Sequence, residues 1–287
     1  MLESPMAPPP DTFCFAAVGD VHGRMDRMVS SLQTWAKSAH RELAFVLQVG
    51  DFEPHRDDAD LATMAAPARY RHLGDFADYH QKRRRFPWPV YFIGGNHEPH
   101  GYLDTAPEGF LLTSNCRYLG RVGVVETRGL RIAGLSGIHD APGFQKPHPA
   151  LSLLGTVSNK DYACFNEQDI EQALGLERAD ILLVHDWPSG LVAAEDRQDF
   201  EHQRRSPHAD AVGNEYARLV AEALQPRLVL CGHLHKHYRG TLKWPSGAQT
   251  PVCCLASVEQ GAEAFAIFQV SRGALQEVTH LGTLPVR

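Results

Sequence analysis

Five short apolar runs punctuate the chain, and each gives way at its carboxyl end to glycine, aspartate, asparagine or histidine. Phe13–Val18 leads into Gly19-Asp20, Leu43–Val49 into Gly50-Asp51, and Pro89–Ile93 into Gly94-Gly95-Asn96-His97. Farther on, Ile181–Val184 leads into His185-Asp186 and Leu228–Cys231 into Gly232-His233. Continuous apolar runs of this length read as strands of a sheet buried on both faces. The helical stretch expected at about Arg24–Ala36 and the polar, helix-friendly stretch up to Arg85 supply an alternating α/β rhythm. Between Arg117 and Gly134 the runs become short and alternating with glycine at the turns, the pattern of antiparallel strands. Thr250–Leu255 and Ala264–Val270 read as further strands that close a second sheet. Residues 140–163, rich in Pro, Ser, Gly and Asn, read as a long surface loop, which in a compact domain goes with function or disorder. Residues 1–11 read as a flexible leader, because Pro8–Pro10 suit neither a helix nucleus nor a central strand. No repeat and no linker divides the rest, so residues 12–287 are expected to form a single domain.

The polar strand endings carry the chemistry. In open α/β sheets ligands collect outside the carboxyl ends of strands, where the loops converge. One such ending is an ordinary cap, but five in succession make a site. They gather Asp20, His22, Asp51, Asn96, His185, His233 and His235, a set of oxygen and imidazole donors without cysteine. Such a set suits Mn, Fe, Zn or Ni better than a thiolate-loving ion. A catalytic zinc takes about three protein ligands plus water, so seven donors point to two divalent ions sharing a carboxylate. The neighbouring glycines let backbone and metal approach closely at tight turns.

Composition narrows the setting. Hydrophobic residues make up 43% of the 287 positions and charged residues 22%, the balance of a soluble globular protein. A formal charge of −6 argues against a surface coated for non-specific DNA binding. Six cysteines without a C-x-x-C pair give no disulfide framework, so a reduced, cytoplasmic setting is expected. The N-terminus lacks the features of a signal peptide, and no run reaches the ~18 apolar residues of a membrane span. No apolar stripe marks an oligomer interface.

The ordered series Asp20-x-His22, Gly50-Asp51, Gly95-Asn96-His97-Glu98, His185 and Gly232-His233-x-His235 resembles the calcineurin-like metallophosphoesterase superfamily, over about residues 13–240. The resemblance implies an α/β/β/α sandwich, two packed mixed β-sheets flanked by helices. It implies Asp20, His22 and His235 as ligands of one metal, Asn96, His185 and His233 as ligands of the other, and Asp51 bridging both, with Mn favoured. It also implies hydrolysis of a phosphate ester. Two ions ~3.5–4 Å apart lower the pKa of a shared water and clamp the phosphoryl oxygens. His97 is then the proton donor to the leaving group, and Glu98 is expected to hydrogen-bond its imidazole and hold it cationic.

A narrower resemblance runs through Tyr91–Glu98, Tyr118-Leu119-Gly120, Arg131–Gly137 and His185–Pro188, which are similar to the RNA lariat-debranching branch. That branch implies a phosphodiester substrate, in a nucleotide or RNA. Its members usually carry cysteine where Asp20 stands. The alternatives are a phosphomonoesterase or protein phosphatase, and a non-catalytic scaffold of the same fold. Against the protein phosphatases, Asp51 is followed by Phe-Glu-Pro and not by Tyr-Val-Asp-Arg-Gly; against the scaffold, His97 and all seven donors are kept. Outside the metal set, His139, Arg204 and Arg205 (with His208 nearby) are candidates to contact substrate phosphates. Trp187 is expected to pack in the core, and Lys82–Arg85 to be a solvated helix end.

Overall fold

The computed structural model of the chain describes residues 12–196, 200 and 212–279. Residues 1–11, expected as a leader, and Arg204, Arg205 and His208 lie outside the described residues. The chain opens with β1 (Phe13–Val18), α1 (Met25–Ala39) and β2 (Leu43–Gln48), followed by α2 (Asp58–Ala62) and α3 (Phe76–His80). Next come β3 (Val90–Phe92), α4 (His100–Leu103), β4 (Phe110–Thr113), β5 (Cys116–Tyr118), β6 (Val122–Thr127) and β7 (Leu130–Leu135). The second half holds α5 (Lys160–Ala163), α6 (Glu167–Leu174), β8 (Ile181–Val184), α7 (Glu215–Leu224) and β9 (Leu228–Cys231). It ends with β10 (Tyr238–Lys243), β11 (Gln249–Cys254), β12 (Phe265–Ser271) and β13 (Ala274–Thr279).

These strands form two mixed sheets, ordered β13-β12-β1-β2-β3-β5-β4 and β10-β11-β9-β8-β7-β6. Each sheet has a parallel centre, β1-β2-β3-β5 in one and β11-β9-β8-β7 in the other, with antiparallel strands outside it. The two-residue period of a strand sorts side chains to opposite faces. Phe15 and Ala17 join Ile181, Leu183, Leu228 and Leu230 in the core between the sheets. Cys14, Ala16 and Val18 face the other way, onto Met25, Met28, Leu32 and Trp35 of α1. On the far side, Leu182, Val184, Val229 and Cys231 pack under α6 and α7 through Ile170, Ala173, Val220 and Leu224. The result is the expected α/β/β/α sandwich, and it brings the carboxyl ends of the parallel strands to one rim.

Some expectations move. β12 does not close the second sheet; it pairs antiparallel with β1 in the first, Ala17 opposite Ala266. The stretch before Arg85 holds only the short α2 and α3 and a 3-10 turn at Ala68–Tyr70, and Lys82–Arg85 follows α3, with Arg83 and Arg84 paired to Asp78. Residues 140–163 are tied down more than a surface loop would be. Tyr162 is buried and its hydroxyl donates to Ala150 O, His148 Nε2 meets Asp169 Oδ2 at 2.6 Å, and Asn159 donates to Ala62 O and Met64 O. Among the described residues no helix is long and apolar enough to cross a membrane.

Arg121 is the main fastening of this segment. Its guanidinium, 6% exposed, grips both carboxylate oxygens of Asp104 and also donates to the carbonyls of Tyr162 and Cys164. Removing one partner of a buried pair leaves an uncompensated charge. Asp104→Ala is therefore expected to lower unfolding free energy by about 3–5 kcal/mol, read from the urea midpoint. A loss below 1 kcal/mol would show that the pair is dispensable.

Candidate metal centre

The turns that follow β1, β2, β3, β8 and β9 meet at the shared rim. Close backbone approach makes this possible: a Cβ on Gly95 would lie 2.2 Å from Asp51 Oδ1, and one on Gly232 would lie 2.2 Å from Asp20 Oδ1. The backbone also bends against its usual preference. His22, Asp51, Glu53, His233 and His235 all have φ between +48° and +68°. Non-glycine residues rarely occupy this left-handed region, and they persist there only when their surroundings over-determine it. Those surroundings are visible as hydrogen bonds. Val21 N and His22 N both donate to Asp51 O, at 3.0 and 2.9 Å. The buried Gln48 amide donates to Gly19 O and accepts from Gly50 N, joining the first two turns.

The site has two lobes. In the first, Asp20, His22, Asp51 and His235 each offer one donor atom, all within 4.8 Å of one another. His22 Nε2 and His235 Nε2 face each other at 3.0 Å. Asp20 Oδ1 accepts from His233 N at 3.1 Å, while Oδ2 is buried without a hydrogen bond, although His235 Nε2 stands 3.0 Å away. In the second lobe, His185 Nε2 lies 3.2 Å from Asn96 Oδ1 and 3.4 Å from Asp51 Oδ1, and the His185 and His233 rings are 5.0 Å apart. His185 Nδ1 donates to Val49 O at 2.8 Å, which commits Nε2 to face the site. Imidazole edges converging on an orphaned buried carboxylate oxygen fit a divalent cation centre. A cation satisfies donor atoms that have no mutual hydrogen-bonding geometry.

Charge supports the same conclusion. Burial alone would keep the His22 imidazole neutral, but the Glu53 hydrogen bond and the Asp51, Glu53 and Asp20 charges raise it to about 9. Burial is likewise outweighed at His185, which the Asp51 charge and hydrogen bond raise to about 10. Without a metal, protons answer the pocket's negative charge.

Two residues invisible to sequence reasoning organise the site. Glu53, buried at the rim, accepts from His22 Nδ1 at 2.7 Å and places Oε1 3.7 Å from His97 Nδ1 and Oε2 3.7 Å from His55 Nε2. Burial would raise this carboxyl, yet the histidines hold it at about 2. Its only sequence signal is a carboxylate two residues after Asp51. Gln48 had none beyond being polar inside an apolar run. Glu98 is corrected: its carboxylate accepts from Phe52 N, Glu53 N and Gly95 N at 2.9, 2.9 and 3.0 Å. Those donors occupy it as a brace between two turns, so the carboxylate beside His97 is Glu53. Trp187 is fully buried and its Nε1 donates to Gly232 O at 2.7 Å, tying the β8 and β9 turns together. His139 N is 3.4 Å from Asp186 Oδ2, which places this residue beside His185 and outside the metal lobes.

This fold with this centre defines a metal-dependent phosphoesterase architecture. The sequence model of the calcineurin-like phosphoesterase family matches residues 14–237, and the chain belongs to that family. It is 31% identical over 229 residues to a lariat debranching enzyme of Entamoeba histolytica, covering 78% of this chain and 64% of that protein. Lariat debranching enzymes of Danio rerio and Homo sapiens are 29% and 28% identical, each over 79% of this chain and 41% and 43% of their own lengths. The chain thus matches only part of the length of these relatives. A solved crystal structure with 13% identity superposes with a TM-score of 0.52, over 94% of this chain and 99% of that one, which shows the shared fold.

Two outcomes are expected. Glu53→Ala frees the His22 ring and should weaken cation binding in the first lobe by roughly 10–100-fold by calorimetric titration, with Glu53→Gln recovering part of it. Unchanged affinity in Glu53→Ala would remove Glu53 from the site's support. Where His22 and His185, raised to about 9 and about 10, take a cation as neutral imidazoles, cation loading should expel protons. Apparent affinity should therefore rise from pH 7 to 9, and binding heat should depend on buffer ionisation enthalpy.

Proposed function

We propose that this chain is a two-metal phosphodiesterase acting on a nucleotide or nucleic acid. The observation that carries this is the position of Asp51, reached from both lobes, with the His97 backbone N–H donating to its Oδ1 at 2.8 Å. On this reading Asp20, His22 and His235 would hold one cation, Asn96, His185 and His233 the other, and Asp51 both; the oxygen and imidazole donors admit Mn, Fe, Zn or Ni, and the family resemblance favours manganese. When bound, the ions polarise the phosphoryl oxygens and activate a water.

The remaining work falls to the protein. His97 is a quarter exposed and its ring lies 5.5 Å from that of His22, at the edge of the first lobe. With Nδ1 turned toward Glu53, its Nε2 is free to hand a proton to the leaving oxygen. Burial works against the protonated ring, but the Asp51 charge and Glu53 outweigh it and raise His97 above its ordinary value. Glu98 holds the Phe52, Glu53 and Gly95 amides, so that Asp51 and Glu53 are presented together. The diester and the RNA substrate are favoured by similarity to proteins named lariat debranching enzymes. A reducing, cytoplasmic compartment belongs to the same proposal, in keeping with the free thiols.

His97→Ala is expected to cut kcat on a diester by ~10²–10⁴-fold while bound manganese stays unchanged. The metal-loaded protein should be offered a phosphomonoester, a linear 3′,5′ diester and a 2′,5′-branched RNA side by side. Turnover of the monoester alone would overturn the diesterase reading.

A further inference from the structure

Beside the second lobe lies a group of side chains that metal binding does not use. The His139 and Tyr216 rings, both half-buried, stand 4.9 Å apart at 41°. Two buried aromatics support them. Phe144 stacks on Tyr216 at 4.0 Å, and Phe165 lies 6.0 Å from His139. No described residue hydrogen-bonds the His139 imidazole through its ring nitrogens. The pair is also held firmly in relation to the metal centre. Gly137 N donates to Gly94 O at 2.8 Å, two residues before Asn96. Asp186, which follows His185 directly, is half-buried and accepts from Asn214 Nδ2 at 2.8 Å, and Asn214 caps the helix that carries Tyr216.

We infer that His139 and Tyr216 form a stacking shelf for a nucleobase flanking the scissile phosphate, with the Asp186 carboxylate within reach of its exocyclic or ring N–H groups. This rests on the diesterase reading and narrows it to substrates that carry a base on the second-lobe side. Three features fit a base in particular. Aromatic faces stack on any base without regard to sequence. A carboxylate fixed by an amide accepts from amino and imino groups. The shelf is also on a braced turn, so its distance from the phosphate site is fixed. Plain packing would use the same rings but would give the protein no preference for a base.

The test compares two ligands of the manganese-loaded full chain by calorimetric titration: adenosine 5′-monophosphate, and ribose 5-phosphate, which has the same phosphate and sugar without the base. The nucleotide is expected to bind about tenfold tighter. His139→Ala and Tyr216→Leu should abolish that difference and leave ribose 5-phosphate affinity unchanged, while His139→Phe, which keeps a stacking face, should retain it. Equal affinity of the wild-type protein for the two ligands overturns the shelf, whatever the variants do. So does a variant that weakens both ligands alike. Diester turnover is measured separately: base discrimination without hydrolysis keeps the shelf and sinks the diesterase, and hydrolysis without discrimination does the reverse.

Discussion

Three carboxylates, those of Asp20, Asp51 and Glu53, are buried at the rim where the two sheets meet. Burying a charge is costly unless it is paired, and no lysine or arginine is hydrogen-bonded or ion-paired to any of the three among the described residues. The partners are imidazoles, and an imidazole answers negative charge in two ways, by taking a proton or by sharing a cation. This constraint explains why the site is so tightly organised. Strand ends, glycine contacts and left-handed turns all bring histidine nitrogens to within about 4 Å of the Asp20 and Asp51 carboxylate oxygens.

The turns are held by Asp20 and Asp51, which accept from His233 N and His97 N, and also by residues outside the candidate donor set. Glu98 accepts from three backbone amides in two different turns, Gln48 joins the turns after β1 and β2, and Trp187 joins those after β8 and β9. A donor set assembled this way keeps its geometry when a cation enters, so ordering entropy has already been met by folding. The division of labour is clear at Asn96-His97-Glu98. Three consecutive residues face three different neighbours: Asn96 meets His185, His97 turns toward Glu53, and Glu98 holds the amides of Phe52, Glu53 and Gly95.

Much of this was legible in sequence, for a definite reason. Strand endings rich in glycine, aspartate and histidine are rare enough together that their order marks both the fold and the residues that meet at one rim. β8 and β9 fall on the residues their apolar runs predict, Ile181–Val184 and Leu228–Cys231. What stayed hidden depends on orientation. Glu98 and Glu53 are both acidic and both close to donors, and only the backbone path decides which one meets His97. The left-handed φ of +57° at Glu53 is what aims it. β12 was recognised as a strand, but its sheet was not, because an apolar run does not encode which edge it joins. The segment 140–163 looked loose from composition, whereas its order comes from distant partners, Arg121 and Asp169.

On the proposed reading, an acidic chain must confine the positive charge that meets a phosphodiester. Several described arginines are already paired with carboxylates: Arg24 with Glu259, Arg83 with Asp78, and Arg131 with Glu126. On that reading attraction for phosphate comes from the centre itself, where divalent cations would reverse the sign of a pocket built from carboxylates. That arrangement makes phosphate affinity conditional on metal loading, and it leaves discrimination among phosphate esters to uncharged contacts around the rim. On the inferred shelf, half-buried rings such as His139 and Tyr216 supply such contacts by stacking, so recognition of the ester's substituents and recognition of its phosphate would be separable properties of neighbouring strand ends.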